Sequence, residues 1–501
     1  MRALPLLVLA AACTGEPDPK DGDPTTGDDT GTTDGTVDVG DLFDMETTDE
    51  GVTATFEEPG TYVVILFSES VRQDTFYGYG DAAGTEAVTG EPDPLPEPHV
   101  PDAPAPSYAE VGDTRTFEVS DGSGYVTVEA EAVEVSDELV IWNDVTTVNP
   151  LGDIPSETLD GVTGMFEEIV LPRTRQVFGD ESDVDGGGKI DALISFTVND
   201  YGAVAYVTWC DIGTVAGCGT RSNGSEIIYM GIPEPDGNYG TDTAIVEIWA
   251  HELNHLVYAW HKYLSNGVTD RGENVYLTEG MSELAQDLTG FNNGNQYIWA
   301  AAIDMRDVYD DEDYSIQGVS LNDVLRGEGY YDAQRDGPLR GAGYLFLRYL
   351  FEQAGGFVVE DDGTLVDAGG MAFLHDWFDS PELGPDCVEA TTGRDVLDVA
   401  MDFYTAIVVS GRGINDDPRH NFQPRVQDPL TGYEFGVDTY ASIHGWLNLS
   451  GPPVQPIGEA DGQIRAGGVE YLEVTITEPG ETLTIPVDEE AKPRARAFRI
   501  E

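Results

Sequence analysis

Basic side chains are scarce in this chain: 24 Lys and Arg stand against 94 Asp and Glu, for a formal net charge of −70. Nothing in that balance offsets phosphate repulsion, which excludes nucleic acid as a partner. The acidity reads as a heavily solvated surface suited to a saline or calcium-rich exterior, and it does not identify a substrate. Cysteine is also rare, at four in 501 residues, and a zinc role is not expected of so few thiols. Near the N-terminus the apolar run from Leu4 to Ala12 is too short to anchor the chain across a bilayer. No internal repeat is visible.

The start of the chain carries more specific information. Met1-Arg2 precedes the Leu4–Ala12 run, which ends in small residues before Cys13, as an export signal does. A small residue followed by Cys resembles the lipobox of bacterial lipoproteins, with Leu9 one place earlier than the usual Leu and Ala10 in its position. That resemblance implies a signal peptide over 1–12, acylation of Cys13 and an anchor in the bacterial membrane. The protein is then expected in the cell envelope as an outer-membrane lipoprotein, facing the periplasm or the surface. Cys210 and Cys218 bracket a Gly-rich loop and are candidates for a local disulfide in an oxidising compartment. Cys387 reads as a buried thiol.

Composition then divides the chain. Residues 13–38 are a Gly, Thr and Asp tract that cannot bury enough surface to order itself, so they read as a flexible tether. Residues 39–90 read as a β-rich N-terminal accessory domain or a propeptide, with Thr61–Phe67 strand-like. Removal of that segment after lipidation would release the protein to the medium. Residues 91–106 are a Pro-rich linker, 107–455 the main domain, and 456–501 a β-rich C-terminal module. Within the main domain, strands are predicted at Tyr125–Glu129, Leu139–Trp142, Ala192–Val198, Val204–Thr208 and Glu226–Met230. A helix capped by Ser156 falls among them. Helices follow over Thr243–Leu264, Leu277–Leu288, Leu339–Phe351 and Val396–Val409. Strands before helices, with a sheet backing the helix of greatest interest, indicate an α+β fold.

That helix carries His251-Glu252-Leu253-Asn254-His255. At about 100° per residue, His251 and His255 lie about 40° apart, with Glu252 about 60° beyond His255. Two imidazoles and a carboxylate therefore share one face and can meet one metal. Ile245, Trp249, Leu253, Leu256, Val257 and Trp260 fall on the opposite arc, the expected buried stripe. Catalytic zinc takes three protein ligands and keeps one position open. The third candidates are His261, Glu273 and Glu279. If the helix continues, His261 points about 240° away from His251, and Glu273 lies in a polar loop. Glu279 opens the next amphipathic helix, packed through Leu277, Met281, Leu284 and Leu288, and is favoured. Glu283, one turn later, is placed to orient His251 through its other ring nitrogen.

These residues resemble the gluzincin zinc metallopeptidases, and among them the hyicolysin-like peptidases. The likeness covers roughly Thr114 to Arg412. Its landmarks are Phe178-Gly179-Asp180, Asp183 to Asp191, Glu226-Ile227-Ile228-Tyr229, the zinc motif, Leu277-Thr278-Glu279-Gly280, and Gly341 to Leu350. It implies zinc-dependent endopeptidase activity on proteins and peptides, a zincin-like catalytic domain, His251, His255 and Glu279 as ligands, and Glu252 as base. Thr278 replaces the usual Asn, and Arg340 stands where relatives tend to have Tyr.

The residues make chemical sense without that likeness. Glu252 is placed to take a proton from a zinc-activated water and pass it to the leaving amine. The tetrahedral oxyanion needs a further donor, for which Arg340, Tyr330 and Tyr331 are candidates. The strand Glu226–Met230 is a candidate edge for substrate backbone. Asp183, Asp185 and Asp191 around a Gly-rich turn resemble a calcium loop, although Leu193 and Ile194 stand where an EF-hand needs Glu. His99, His375, His420 and His444 are isolated and read as structural. The rival reading is a non-catalytic, surface-anchored binding or scaffold protein that keeps the fold. Glu252 discriminates, because a retired enzyme has no need of it.

Overall fold

The computed structural model describes residues 38–72, 75–80, 109–122, 124–152, 154–213, 222–233, 239–268, 272–292, 295–304, 320–326, 336–443, 447–457 and 462–501. Cys13, His99, Cys218, Tyr330, Tyr331 and His444 lie outside them.

The run Gly60–Ser68 (β1) is buried almost throughout, because it has neighbours on both edges and both faces. Such continuous apolar character marks an interior strand rather than a half-exposed one. The main-domain sheet follows, with strands Thr114–Ser120 (β2), Tyr125–Val135 (β3), Leu139–Asp144 (β4), Ile190–Ile194 (β5), Ala205–Tyr206 (β6) and Ile227–Met230 (β7). Its spatial order is β6-β7-β5-β4-β3-β2. The β4-β5-β7 core is parallel, while β2, β3 and β6 join antiparallel. Alternation places Leu139, Ile141, Ala192, Ile228 and Met230 toward the helices. Val140, Trp142, Leu193, Ile227 and Tyr229 turn to the other face. Strand and helix content make the fold α+β, as the sequence indicates.

Against the sheet lie Ser156–Met165 (α1) and Asp242–Tyr258 (α2), followed by Val275–Thr289 (α3), Asp336–Gln353 (α4) and Val396–Val409 (α5). The N-cap of α1 is Pro155, with Ser156 already helical, so the expected Ser156 cap is not made. Thr241 caps α2 by accepting from the Ala244 N–H. Ile245, Trp249, Leu253, Leu256 and Val257 are buried as the helical wheel requires, with Trp249 edge-on to Phe166. The predicted helix to Leu264 changes character after Tyr258, where Ala259–Ser265 winds as a π-helix. Among the described residues no helix is long and apolar enough to cross a membrane.

Described segments from early and late in the sequence meet in a separate five-stranded sheet. β1 is its centre, flanked antiparallel by Val469–Ile476 (β8) and Pro493–Arg499 (β9). The sequence reading divides these strands between an N-terminal and a C-terminal module; the structure pairs them. Ladder register between segments so far apart in sequence leaves no local signal. One face of β1 (Val64, Leu66) builds a small core with Leu472, Val474 and Ala497. The other (Val63, Ile65, Phe67) joins the main core, where Phe67 meets Tyr404 of α5.

A charged knot ties this sheet to α5. Asp402 accepts from Arg496 of β9 (2.8 Å), Arg394 (2.5 Å) and His420 (3.3 Å). Burial alone would raise its carboxyl, but hydrogen bonds from His420, Arg496 and Arg394 outweigh that and hold it well below the usual carboxylate range. With a depressed folded value, its stabilisation is full above the unfolded pKa of about 4 and is lost as pH falls below that. Urea unfolding of wild type and Asp402→Asn should therefore show a large stability gap at pH 7 that narrows at pH 3. A gap independent of pH contradicts this.

Candidate metal centre

α2 and α3 face each other along polar stripes. Gln286 donates to the Glu247 carbonyl (3.3 Å), and Ser282 donates to Asn254 Oδ1 (3.3 Å). Near the Ser282–Asn254 tie His251, His255 and Glu279 come together. The Nε2 atoms of the two histidines are 3.2 Å apart. Glu279 Oε2 is 3.2 Å from His251 Nε2, and Oε1 is 3.7 Å from His255 Nε2. Donors held at about 2.0–2.1 Å on one tetrahedral zinc lie about 3.3–3.4 Å from each other. The three observed spacings bracket that value, so this donor set fits zinc.

Glycine lets α3 lie close against α4, which seats Glu279. A Cβ added to Gly280 would lie 2.5 Å from the Gly343 carbonyl carbon on α4, and one on Gly343 would lie 2.4 Å from the Tyr276 carbonyl oxygen. Both contacts are with backbone, which cannot swing aside. Gly280→Ala must therefore part α3 from α4 and move Glu279 with them. Overpacking of this kind costs about 1–3 kcal/mol. Chemical denaturation should show that loss together with weakened zinc binding; a variant matching wild type in both contradicts the crossing.

The electrostatics favour a cation. Burial works against a charged His251, yet Glu279, Glu283 and Glu252 outweigh it and push its imidazole up to about 9. Burial likewise works against the Glu279 carboxylate, but Arg340, His255 and His251 hold its pKa well below the usual range. Burial raises Glu252, opposed by His251 and His255; Glu279 and Arg340 also lie close enough to act on its charge. Glu252 is thus near enough to the two histidines for their charges to act on it. Glu283 Oε1 is 3.9 Å from His251 Nδ1, on the side where an orienting carboxylate belongs.

The other candidates go elsewhere. His261, on the π-helical turn, meets Asp379 (3.1 Å) and the Asp180 carbonyl (2.9 Å). Glu273 accepts from the Gly384 N–H (2.8 Å) and the Tyr258 hydroxyl (3.1 Å). Arg340, one of three candidates for an oxyanion donor, binds Glu279 through Nη1 and Asp336 through Nε (3.0 Å). Asp336 was not singled out from sequence, although its spacing of four from Arg340 on one helix is the signal that finds it. Cys210 is disulfide-bonded and Cys387 is a free, buried thiol. The expected substrate edge is not an edge over its last residues: Tyr229 and Met230 are already paired with Tyr206 and Ala205.

The acidic turn also differs from expectation. Asp191 is committed to Arg115 (2.7 Å), the Trp142 indole (2.8 Å) and the Ser225 hydroxyl (2.8 Å), which removes it from a calcium set. The carboxylates that converge are Asp183, Asp185 and Glu226. Glu226 already accepts from Ser182 (2.5 Å) and the Val184 N–H (3.0 Å). Parallel pairing of β5 with β7 sets Glu226 beside the turn, a tertiary fact without local signal.

No protein-family model matches this chain, and no curated protein does. Among solved structures it is similar to a mutant M1 zinc metallopeptidase from Deinococcus radiodurans. Identity is 14%, the TM-score 0.30, and the match covers 61% of this chain and 54% of that one. The chain thus spans about half the length of that enzyme.

Proposed function

We propose that this chain is a zinc-dependent metalloendopeptidase that hydrolyses peptide bonds in extracellular or periplasmic proteins. One observation supports the reading: His251, His255 and Glu279 bring their donor atoms within reach of one ion, with Glu252 adjacent to His251 on the same helix. Export and attachment to the bacterial envelope through a lipid on Cys13 are part of the proposal and rest on the N-terminal residues alone.

A bound zinc supplies Lewis acidity toward water and toward the scissile carbonyl. His251, His255 and Glu279 would hold it, with Glu283 steadying the His251 ring. Glu252 accepts the proton of the attacking water and returns it to the leaving amine. Its burial suits the first of these transfers, since a carboxylate whose pKa is raised by desolvation is a stronger acceptor for the proton of water.

Metal analysis of the purified chain should find one zinc, lost in His255→Ala, and the zinc-loaded chain should cut unfolded casein at internal bonds. A chain that holds zinc and leaves casein and a panel of unfolded proteins intact would favour a binding or scaffold role.

A further inference from the structure

We infer that Arg340 is a positioning residue for Glu279, itself held by Asp336, and not primarily a donor to the reacting carbonyl. The inference rests on the zinc reading and identifies the group that fixes its carboxylate ligand.

Among the described residues, the side chains that reach the Glu279 carboxylate are His251, His255 and Arg340. When the two imidazoles turn their Nε2 lone pairs toward a metal, their hydrogen bonds to Glu279 end. Arg340 is then the donor that keeps the carboxylate in one orientation. The Arg340 guanidinium is fixed in turn. Asp336 lies one helical turn back on α4 and holds its Nε at 3.0 Å, so a carboxylate–guanidinium–carboxylate chain runs from the start of α4 to the ligand. The Gly280–Gly343 backbone crossing sets the reach of that chain. Ligating carboxylates are generally held by such outer partners, and losing one costs about 10–100-fold in metal affinity.

A guanidinium this near also repels a divalent ion. Asp336 pairs with it, and Glu252 and Glu283 lie near enough to interact with its charge, so Arg340 balances an excess of carboxylate rather than adding net positive charge. Positioning is therefore expected to outweigh repulsion.

The test measures zinc affinity of the full chain by competition with a chromogenic chelator, beside the melting temperature of the chelator-treated protein. Arg340→Met should bind zinc about 10–100-fold more weakly. It also breaks a buried ion pair, so its metal-free melting temperature should fall, and affinities are compared at a temperature where both metal-free chains remain folded. Arg340→Lys should recover part of the loss, since it restores the charge without the planar fork. Asp336→Asn should weaken zinc in the same direction though it touches no ligand. Affinity equal to or tighter than wild type in Arg340→Met overturns the inference. If that variant fails to fold, unchanged affinity in Asp336→Asn overturns it instead. A wild-type chain that binds no zinc removes the metal-centre reading and this inference with it.

Discussion

Replacing Glu252 by Gln should lower the rate of peptide hydrolysis by about 10²–10⁴-fold, the usual worth of a positioned general base. Zinc content should stay at one per chain. The amide keeps the side chain's shape but cannot take up a proton near neutral pH. Its neighbours constrain the outcome: Glu252 is nine-tenths buried beside His251 and His255, so the substitution also removes one negative charge from the centre. That charge change alters metal affinity modestly, which is why the comparison belongs at saturating zinc. Loss of activity with zinc retained separates the base from the ligands. A Gln variant as active as wild type would assign proton transfer to another group.

A chain that begins at residue 107 should fail to fold. The sequence left residues 39–90 open as a propeptide, and trimming them looks harmless on that reading. In the structure β1 is the central strand between β8 and β9, and Tyr62, Val63, Val64, Ile65, Leu66 and Phe67 are each at most 1% exposed. Burial of one such side chain stabilises by about 1.5–3 kcal/mol, so the six together contribute on the order of 10 kcal/mol as an upper estimate. A whole domain is stable by only about 5–15 kcal/mol. Deletion would also leave the facing edges of β8 and β9 unpaired, a template for aggregation. The truncated chain should collect in the insoluble fraction, whereas a chain cut once between residues 81 and 108 should keep both pieces together on gel filtration. A soluble 107–501 chain with wild-type melting temperature would make the N-terminal segment dispensable. On the proposed lipidation of Cys13, joined pieces would also keep the main domain at the membrane after such a cut.

What could be read in advance follows the range of the signal. The zinc helix and its partner were legible because a period of 3.6 residues places His251, His255 and Glu252 on one face and Leu277, Met281, Leu284 and Leu288 on another. Glu279 was favoured as the residue that opens the second helix; that helix starts one turn earlier, at Val275, and the carboxylate still reaches the two histidines. The exclusion of His261 was also legible, since the chain stays helical through Tyr258 and winds on through Ala259–Ser265. The direction of Arg340 was not. Its residue type suits an oxyanion as well as a carboxylate, and the helix crossing through Gly280 and Gly343 decides between them. Asp191 misled because alternation along the acidic turn says nothing of Arg115, which arrives from β2 and claims it. The pairing of β1 with β8 and β9 was invisible for the same reason: hydrogen-bond register between distant strands has no local pattern.

The most direct test of the account is cleavage of unfolded casein by the purified chain, first stripped with a chelator and then titrated with zinc. Activity should vanish on stripping and return to a plateau at one zinc per chain, with His255→Ala inactive throughout. Full activity in the stripped protein, or in His255→Ala, would contradict a zinc peptidase built on His251, His255 and Glu279.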